Sequence, residues 1–367
     1  MPEPTALPDD ASLKVYAVTD PERLYSLATE PPRVAGSLSA PEIMSLAELL
    51  ARQRSQAATD WAVRLGEYAA RRTGAPGAVQ LMAHVVRELV RRPSSATLPP
   101  YFELPPKADD PDTEFRACLL QEMALRWGLD REPYTAYQAG LRELGHPLAW
   151  LPLASFYFES AMRERAWWRG STLGSLKSDE LHARYPEIPP TAAGALAGRG
   201  ARRAPDDRRT EAAMDPLAEL ASSAVEFFTM PEPLDPADFN SALLTAIGSR
   251  CLAGLTPDTL AAAHTTADDL AGDLCVAAFS GGVWGDGRPG AYVRLSTWRA
   301  LYALMDLDPS VPHTRAVRAA AEYRWLRLAL ARRSGNDFFF GDLSDMAFAV
   351  LDPTRTRVAI IAASDTD

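Results

Sequence analysis

The chain has 367 residues, enough for two domains or one large one, and its 47% hydrophobic and 23% charged content is that of an ordinary globular protein. A formal charge of −10 argues against a general nucleic-acid binder, since neutralising phosphates needs a basic face. No apolar run reaches membrane-spanning length, the acidic, proline-rich start is unlike a secretory signal, and Cys118, Cys251 and Cys275 form no CxxC pair. These features predict a cytoplasmic protein with neither a disulfide framework nor a zinc site.

The first half reads as helical. Asp20-Pro21-Glu22 opens a short helix with a capping residue and a proline at the first helical position. Over Ala40–Arg52, Ile43, Leu46, Ala47 and Leu50 share one helical face; Thr59 is a candidate cap for a segment carrying Trp61, Leu65 and Tyr68. Ala78–Arg91 repeats the pattern. A proline-rich break spans Pro93–Pro111, after which Asp112 is placed to cap a helix through Phe115, Leu119, Met123 and Trp127. Leu148–Trp168 is the most aromatic segment, expected as one helix bearing Phe156, Tyr157, Phe158, Trp167 and Trp168. Such a stripe is usually core; the alternative is a partner-binding groove.

Residues 186–212 are rich in proline, glycine, alanine and arginine without apolar periodicity, which predicts a linker or long surface loop. It would separate a helical domain over 1–185 from an α/β domain over 213–367. In the latter, Ala224–Met230 reads as a strand, and helices are expected to start at Asp235-Pro236 and at Thr256-Pro257-Asp258. Leu274–Phe279 reads as a strand, Ala291–Met305 as a helix and Thr314–Arg333 as a long arginine-rich helix. Met346–Leu351 and Arg357–Ala362 flank Asp352-Pro-Thr-Arg355 as a β-hairpin, and the apolar C-terminus predicts a buried last strand. The fold class expected is mainly α with a smaller β component (α+β): an N-terminal helical array and a C-terminal α/β domain with a small mixed sheet.

Gly285-Asp-Gly287-Arg-Pro-Gly290 has GxGxxG spacing. Pro289 and the residues separating it from the expected strand speak against a dinucleotide site. A turn between elements is the plain reading, and an anion at a helix N-terminus beside Arg288 and Arg294 is the functional one. Asp342, Asp345, Asp365 and Asp367 lie near the expected strand ends, where turn capping competes with cation binding or acid/base work. Gly170–Ser178 has the wrong spacing for a phosphate-binding loop. The five histidines (His84, His146, His182, His264, His313) show no metal-ligand spacing, and no GxSxG occurs. Arg315, Arg318, Arg324, Arg327, Arg332 and Arg333 would form a basic side of the long helix.

Val225-Glu-Phe-Phe, Glu232-Pro-Leu-Asp, Cys251-Leu-Ala-Gly, Ser280-Gly-Gly, Gly290-Ala-Tyr, Arg294-Leu, Trp298-Arg-Ala-Leu and the closing Val358–Asp367 run resemble an uncharacterised bacterial family. It is domain-of-unknown-function family 6183, found mainly in actinomycete-type bacteria. The resemblance covers residues 211–367 well and the helical half loosely. It implies a two-part architecture and a bacterial cytoplasmic origin, and no reaction, cofactor or site.

The leading expectation is a non-enzymatic protein-binding or regulatory module whose partner is another protein, with no cofactor, metal, membrane or nucleic acid. The competing one is a small-molecule or phosphate-binding enzyme using Gly281, Gly282, Arg288 and Gly290, its pocket completed by Tyr292, Arg294, Asp342 and Asp345.

Overall fold

The computed structural model of the chain describes residues 9–29, 40–53, 55–72, 74–75, 77–91, 97–165, 178–281, 287–330, 336–339 and 345–365. The chain divides into two compact units, residues 1–155 with 288–292, and 156–287 with 293–367. The division falls at 155/156, ahead of the 186–212 stretch.

The first unit is built from helices α1 (Asp10–Thr19), α2 (Pro21–Thr29), α3 (Ala40–Arg52), α4 (Gln56–Ala70), α5 (Ala78–Val90), α6 (Pro111–Trp127) and α7 (Tyr134–Glu143). The apolar periodicity is what gets buried: Leu46, Leu50, Leu65, Val85, Phe115, Leu119 and Met123 are all within 2% of complete burial. The caps lie upstream of those expected. Ser55, not Thr59, accepts the Ala58 amide of α4 at 3.2 Å, and Asp110, not Asp112, accepts at the start of α6 with Pro111 in the first turn.

The second unit carries helices α8 (Ser160–Arg165), α9 (Ser178–Arg184), α10 (Ala192–Arg199), α11 (Arg208–Met214), α12 (Ser241–Ala246), α13 (Ala267–Ser280), α14 (Gly290–Leu304, from its second turn) and α15 (His313–Ala320). Its strands are β1 (Arg202–Arg203), β2 (Ser222–Thr229), β3 (Leu260–Thr265), β4 (Arg324–Leu330), β5 (Asp345–Leu351) and β6 (Arg357–Ser364). They form one sheet in the order β1-β2-β6-β5-β4-β3. Every pairing among the described residues is antiparallel, so the expected mixed sheet is corrected. The chain is mainly α with a smaller β part.

The hairpin β5–β6 forms as its turn residues predict. Asp352 folds its carboxylate back on the amides of Thr356 and Arg357 at 2.9 and 2.8 Å, and Arg355 takes φ +64°. β6 then runs between β2 and β5 with every residue after Arg357 buried, which accounts for its unbroken apolar sequence. One sheet face packs Phe228, Leu326, Ala349, Leu351 and Ile360 against Leu243, Leu244 and Ile247 around α12.

Several expected elements differ. Leu274–Phe279 is not a strand but the body of α13, bracketed by Asp268 and Asp269 in its first turn and by Gly281 at φ +66° after its end. A short apolar run buried on all sides has no period to separate helix from strand. Thr256-Pro257-Asp258 makes a turn into β3, where alanines sit in a strand because β4 pairs alongside them. The long helix expected over Thr314–Arg333 ends at Ala320, and Arg324–Leu330 returns as β4. Its basic side therefore does not form: Arg315 and Arg318 are exposed on α15, Arg327 is buried against Asp273 at 2.5 Å, and Arg332 and Arg333 lie outside the described residues. The aromatic segment is a 3-10 turn, Tyr157–Glu159, running into α8, with Trp167 and Trp168 outside the described residues.

Where 186–212 is expected to be a linker or loop, it holds α10, β1 and the start of α11. Gly198 lets α10 lie on α12, since an added Cβ would collide with the Leu243 carbonyl. Small residues here serve close helix contact, not chain freedom.

Candidate functional site

Of the sequence-selected residues, Gly282 and Asp342 lie outside the described residues. Gly281, Arg294 and Asp345 belong to the second unit, and Arg288, Gly290 and Tyr292 to the first. Gly281 ends helix α13, so the glycine loop follows a helix and lacks the strand that a dinucleotide fingerprint requires. Gly287 has φ +67°, its amide donates to Glu219 Oε2 at 3.3 Å, and an added Cβ would strike the Phe279 carbonyl. These are the constraints of a tight turn.

At Gly290, the start of α14, the carboxylate of buried Glu122 packs so closely that an added Cβ would overlap it. The anion favoured by a helix N-terminus is thus supplied by the first unit's own side chain. Arg288 is half-buried. Asp345 opens β5 and accepts the Ser364 hydroxyl at 2.6 Å, an intrasheet bond at a strand end.

Arg294 leads to the most buried polar cluster of the second unit. It and Trp298 stand four residues apart on α14, hence on one face, and both reach Glu159. Arg294 Nε and Nη2 donate to the two Glu159 oxygens at 2.6 and 3.1 Å, a bidentate pair; Trp298 Nε1 donates at 2.8 Å and the Phe156 amide at 2.8 Å. The side chains of Glu159 and Arg294 are 0% and 1% exposed. His313, at the start of α15, stands edge-on to Trp298 with ring centroids 4.5 Å apart. Burial, reinforced by the Arg294 charge and only partly opposed by Glu159, pushes its pKa down to about 4, so the ring is neutral at pH 7. The Glu159 carboxylate is thus matched by a guanidinium, both shut off from water, beside a neutral, partly buried imidazole.

In the first unit, Tyr292 belongs to a cluster with no local sequence signature. Glu114 Oε2 accepts from Tyr292 OH at 3.2 Å and lies 3.1 Å from His146 Nε2, and Glu114 Oε1 lies 3.5 Å from Cys118 Sγ. The Leu148 amide donates to His146 Nδ1 at 3.3 Å, so the proton is on Nε2 and points at Glu114. Burial raises the Glu114 pKa, but the bonds from His146, Tyr292 and Cys118 outweigh it and hold the carboxyl below its ordinary value. The Cys118 thiol is pushed well up by burial and by the Glu114 charge. Cysteine, histidine and glutamate therefore meet, but the thiol stays protonated and the histidine donates to the acid in place of accepting from sulfur.

Among the described residues, no group of three or more histidines, cysteines and acids is arranged to hold a metal, and no helix is long and apolar enough to cross a membrane. The model of a family described as "Family of unknown function (DUF6183)" matches residues 23–367, which extends the sequence resemblance from the second half to nearly the whole chain. No curated protein and no solved structure matches.

Proposed function

The chain belongs to the DUF6183 family of unknown function, and we propose that it is a non-enzymatic protein-binding or regulatory module of the bacterial cytoplasm. The observation that carries this reading is the outward face of α1. Ala11, Val15 and Val18 recur at i, i+4 and i+7, and the two valines are 56% and 66% exposed, whereas Ala17 on the opposite face is fully buried. A single exposed valine is ordinary, but an apolar stripe one helix long is a surface that association would cover.

Exposed Asp9, Asp10 and Asp20 flank the stripe, and Lys14 is engaged by Asp10. The partner that complements it is an amphipathic segment with an apolar face and a basic rim. The carboxylates of Glu159 and Glu114 support the non-enzymatic part, since both are held by neighbouring donors. α1 precedes residue 23, where the family match begins, so the stripe is proposed as a property of this chain and not of every member.

The test is affinity capture from the native bacterial cytosol with the wild-type chain and a Val15→Asp/Val18→Asp variant. One partner retained by the first and lost by the second is expected. Equal capture by both removes α1 as the binding face.

A further inference from the structure

Most of the large apolar side chains that stand exposed lie at helix ends or between elements. Among the described residues, those inside α-helix bodies are Val15 and Val18 of α1 and Leu196 of α10, the last 67% exposed. Glycine sets the face on which Leu196 lies. Gly194 and Gly198 approach the Asp238 and Leu243 carbonyls so closely that an added Cβ would strike them, which fixes that side of α10 inward. The side turned away from these glycines carries Ala192, Ala193 and Leu196, all exposed, and no polar side chain before Arg199. A solvent-facing helix side is ordinarily polar, so α10 presents a second apolar stripe that association would cover.

Its charges are opposite to those of α1. From α10 the chain passes through a two-residue turn into the edge strand β1, which puts Arg199 at the C-terminal end of the stripe and Arg202 just beyond it. Both arginines are exposed, and among the described residues no carboxylate pairs with either. Arg203 takes Glu226 and Asp206, and Arg209 takes Asp207. The α1 stripe is bounded by Asp9 and Asp10 at one end and by Asp20 at the other. The two stripes also agree in length: Ala11 to Val18 and Ala192 to Arg199 are each about 10 Å of helix. The α10 alanines leave room for the bulkier α1 valines to come close.

We propose that α1 of one copy of this chain docks on α10 of a second copy, with Val15, Val18 and Leu196 at the centre of the contact. Arg199 and Arg202 then face the α1 aspartates. This rests on the α1 reading above and names its partner, since a second copy supplies an apolar face with a basic rim. The contact joins unlike surfaces, and stripes this short bury less than a standard interface. Association on the order of 100 µM is expected.

The test is sedimentation equilibrium of the intact chain from roughly 10 to 500 µM, with crosslinking to locate the contact. The average mass of the wild type is expected to rise above the 39.9 kDa monomer as concentration increases. Val15→Asp/Val18→Asp and Leu196→Asp should each weaken association at least roughly tenfold, and so should Arg199→Glu/Arg202→Glu. Val15→Cys mixed with Leu196→Cys should be joined by a short bismaleimide into a covalent dimer, in a yield that neither variant gives alone. The native Cys118, Cys251 and Cys275 are buried and do not compete. A wild type that stays monomeric to roughly 500 µM, a Leu196→Asp variant that associates as well as wild type, or a mixture no better crosslinked than Val15→Cys alone overturns the proposal. The α1 reading survives a monomeric wild type whose capture of another protein still depends on Val15 and Val18. Association untouched by Val15→Asp/Val18→Asp removes both. The wild-type mass and the cysteine pair decide even if an aspartate variant fails to fold.

Discussion

Glu159 and Glu114 both gather hydrogen-bond donors from distant parts of the sequence, in opposite surroundings. Glu159 is fully buried and faces a guanidinium that is equally buried. Glu114 is 30% exposed and is held by a tyrosine hydroxyl, a thiol and His146, itself 13% exposed. In the first cluster, removing either partner strands a charge that water cannot reach. In the second, solvent and the remaining dipoles absorb much of the loss. The same residue type is thus an obligate half of a pair in one unit and an adjustable acceptor in the other.

Breaking the Glu159 pair should have the largest effect. Arg294→Met is expected to cost about 3–5 kcal/mol in chemical denaturation, because it leaves Glu159 buried without its cation. Glu159→Met/Arg294→Met should recover at least half of that, since apolar side chains of similar size pack where an ion pair stood. A double variant as unstable as the single would show that Trp298 and the Phe156 amide, not the charge, dominate the site.

The pH dependence sharpens the contrast. His313 has its folded pKa lowered to about 4 from 6.5, so the unfolded chain binds the proton first. Its contribution is present above pH 6.5 and is lost as the pH falls toward 4, by about 2 kcal/mol between pH 7 and pH 5. Denaturation midpoints across that window should show it, and His313→Phe should flatten the slope. Glu114 acts in a lower window. Its folded pKa lies below the ordinary 4.5, so its contribution is present above 4.5 and disappears as the pH falls through the folded value.

Substituting Glu114 should cost less than breaking the Arg294 pair. Glu114→Gln keeps one acceptor oxygen and is expected to lose about 1 kcal/mol. A loss as large as that of Arg294→Met would mean the two carboxylates are equivalent after all.

The fold was most legible where local rules act alone. Asp352-Pro-Thr-Arg355 between two apolar runs announces the β5–β6 hairpin, and the spacing of Leu46 and Leu50 announces α3. It was least legible where neighbours decide. Leu274–Phe279 is apolar on every side, and the alanines of β3 are a strand only because β4 lies beside them. The clusters were hidden by chain separation: Glu114 and Tyr292 are 178 residues apart, Glu159 and Arg294 135. Arg294 reads from sequence as a cation beside a glycine loop; in the fold its anion is Glu159. The signal that could have found the pair is local on each side. Glu159 is an acid embedded in an aromatic segment, and Arg294 and Trp298 are polar-tipped residues four apart on one helix face.

On the proposed reading, the two polar clusters hold the fold while association occurs on the exposed face of α1. The most direct measurement sets the stability of Val15→Asp/Val18→Asp beside its partner capture. An unfolding free energy within about 0.5 kcal/mol of wild type is expected together with loss of the captured partner. Unchanged capture, or a large loss of stability from residues this exposed, would contradict it.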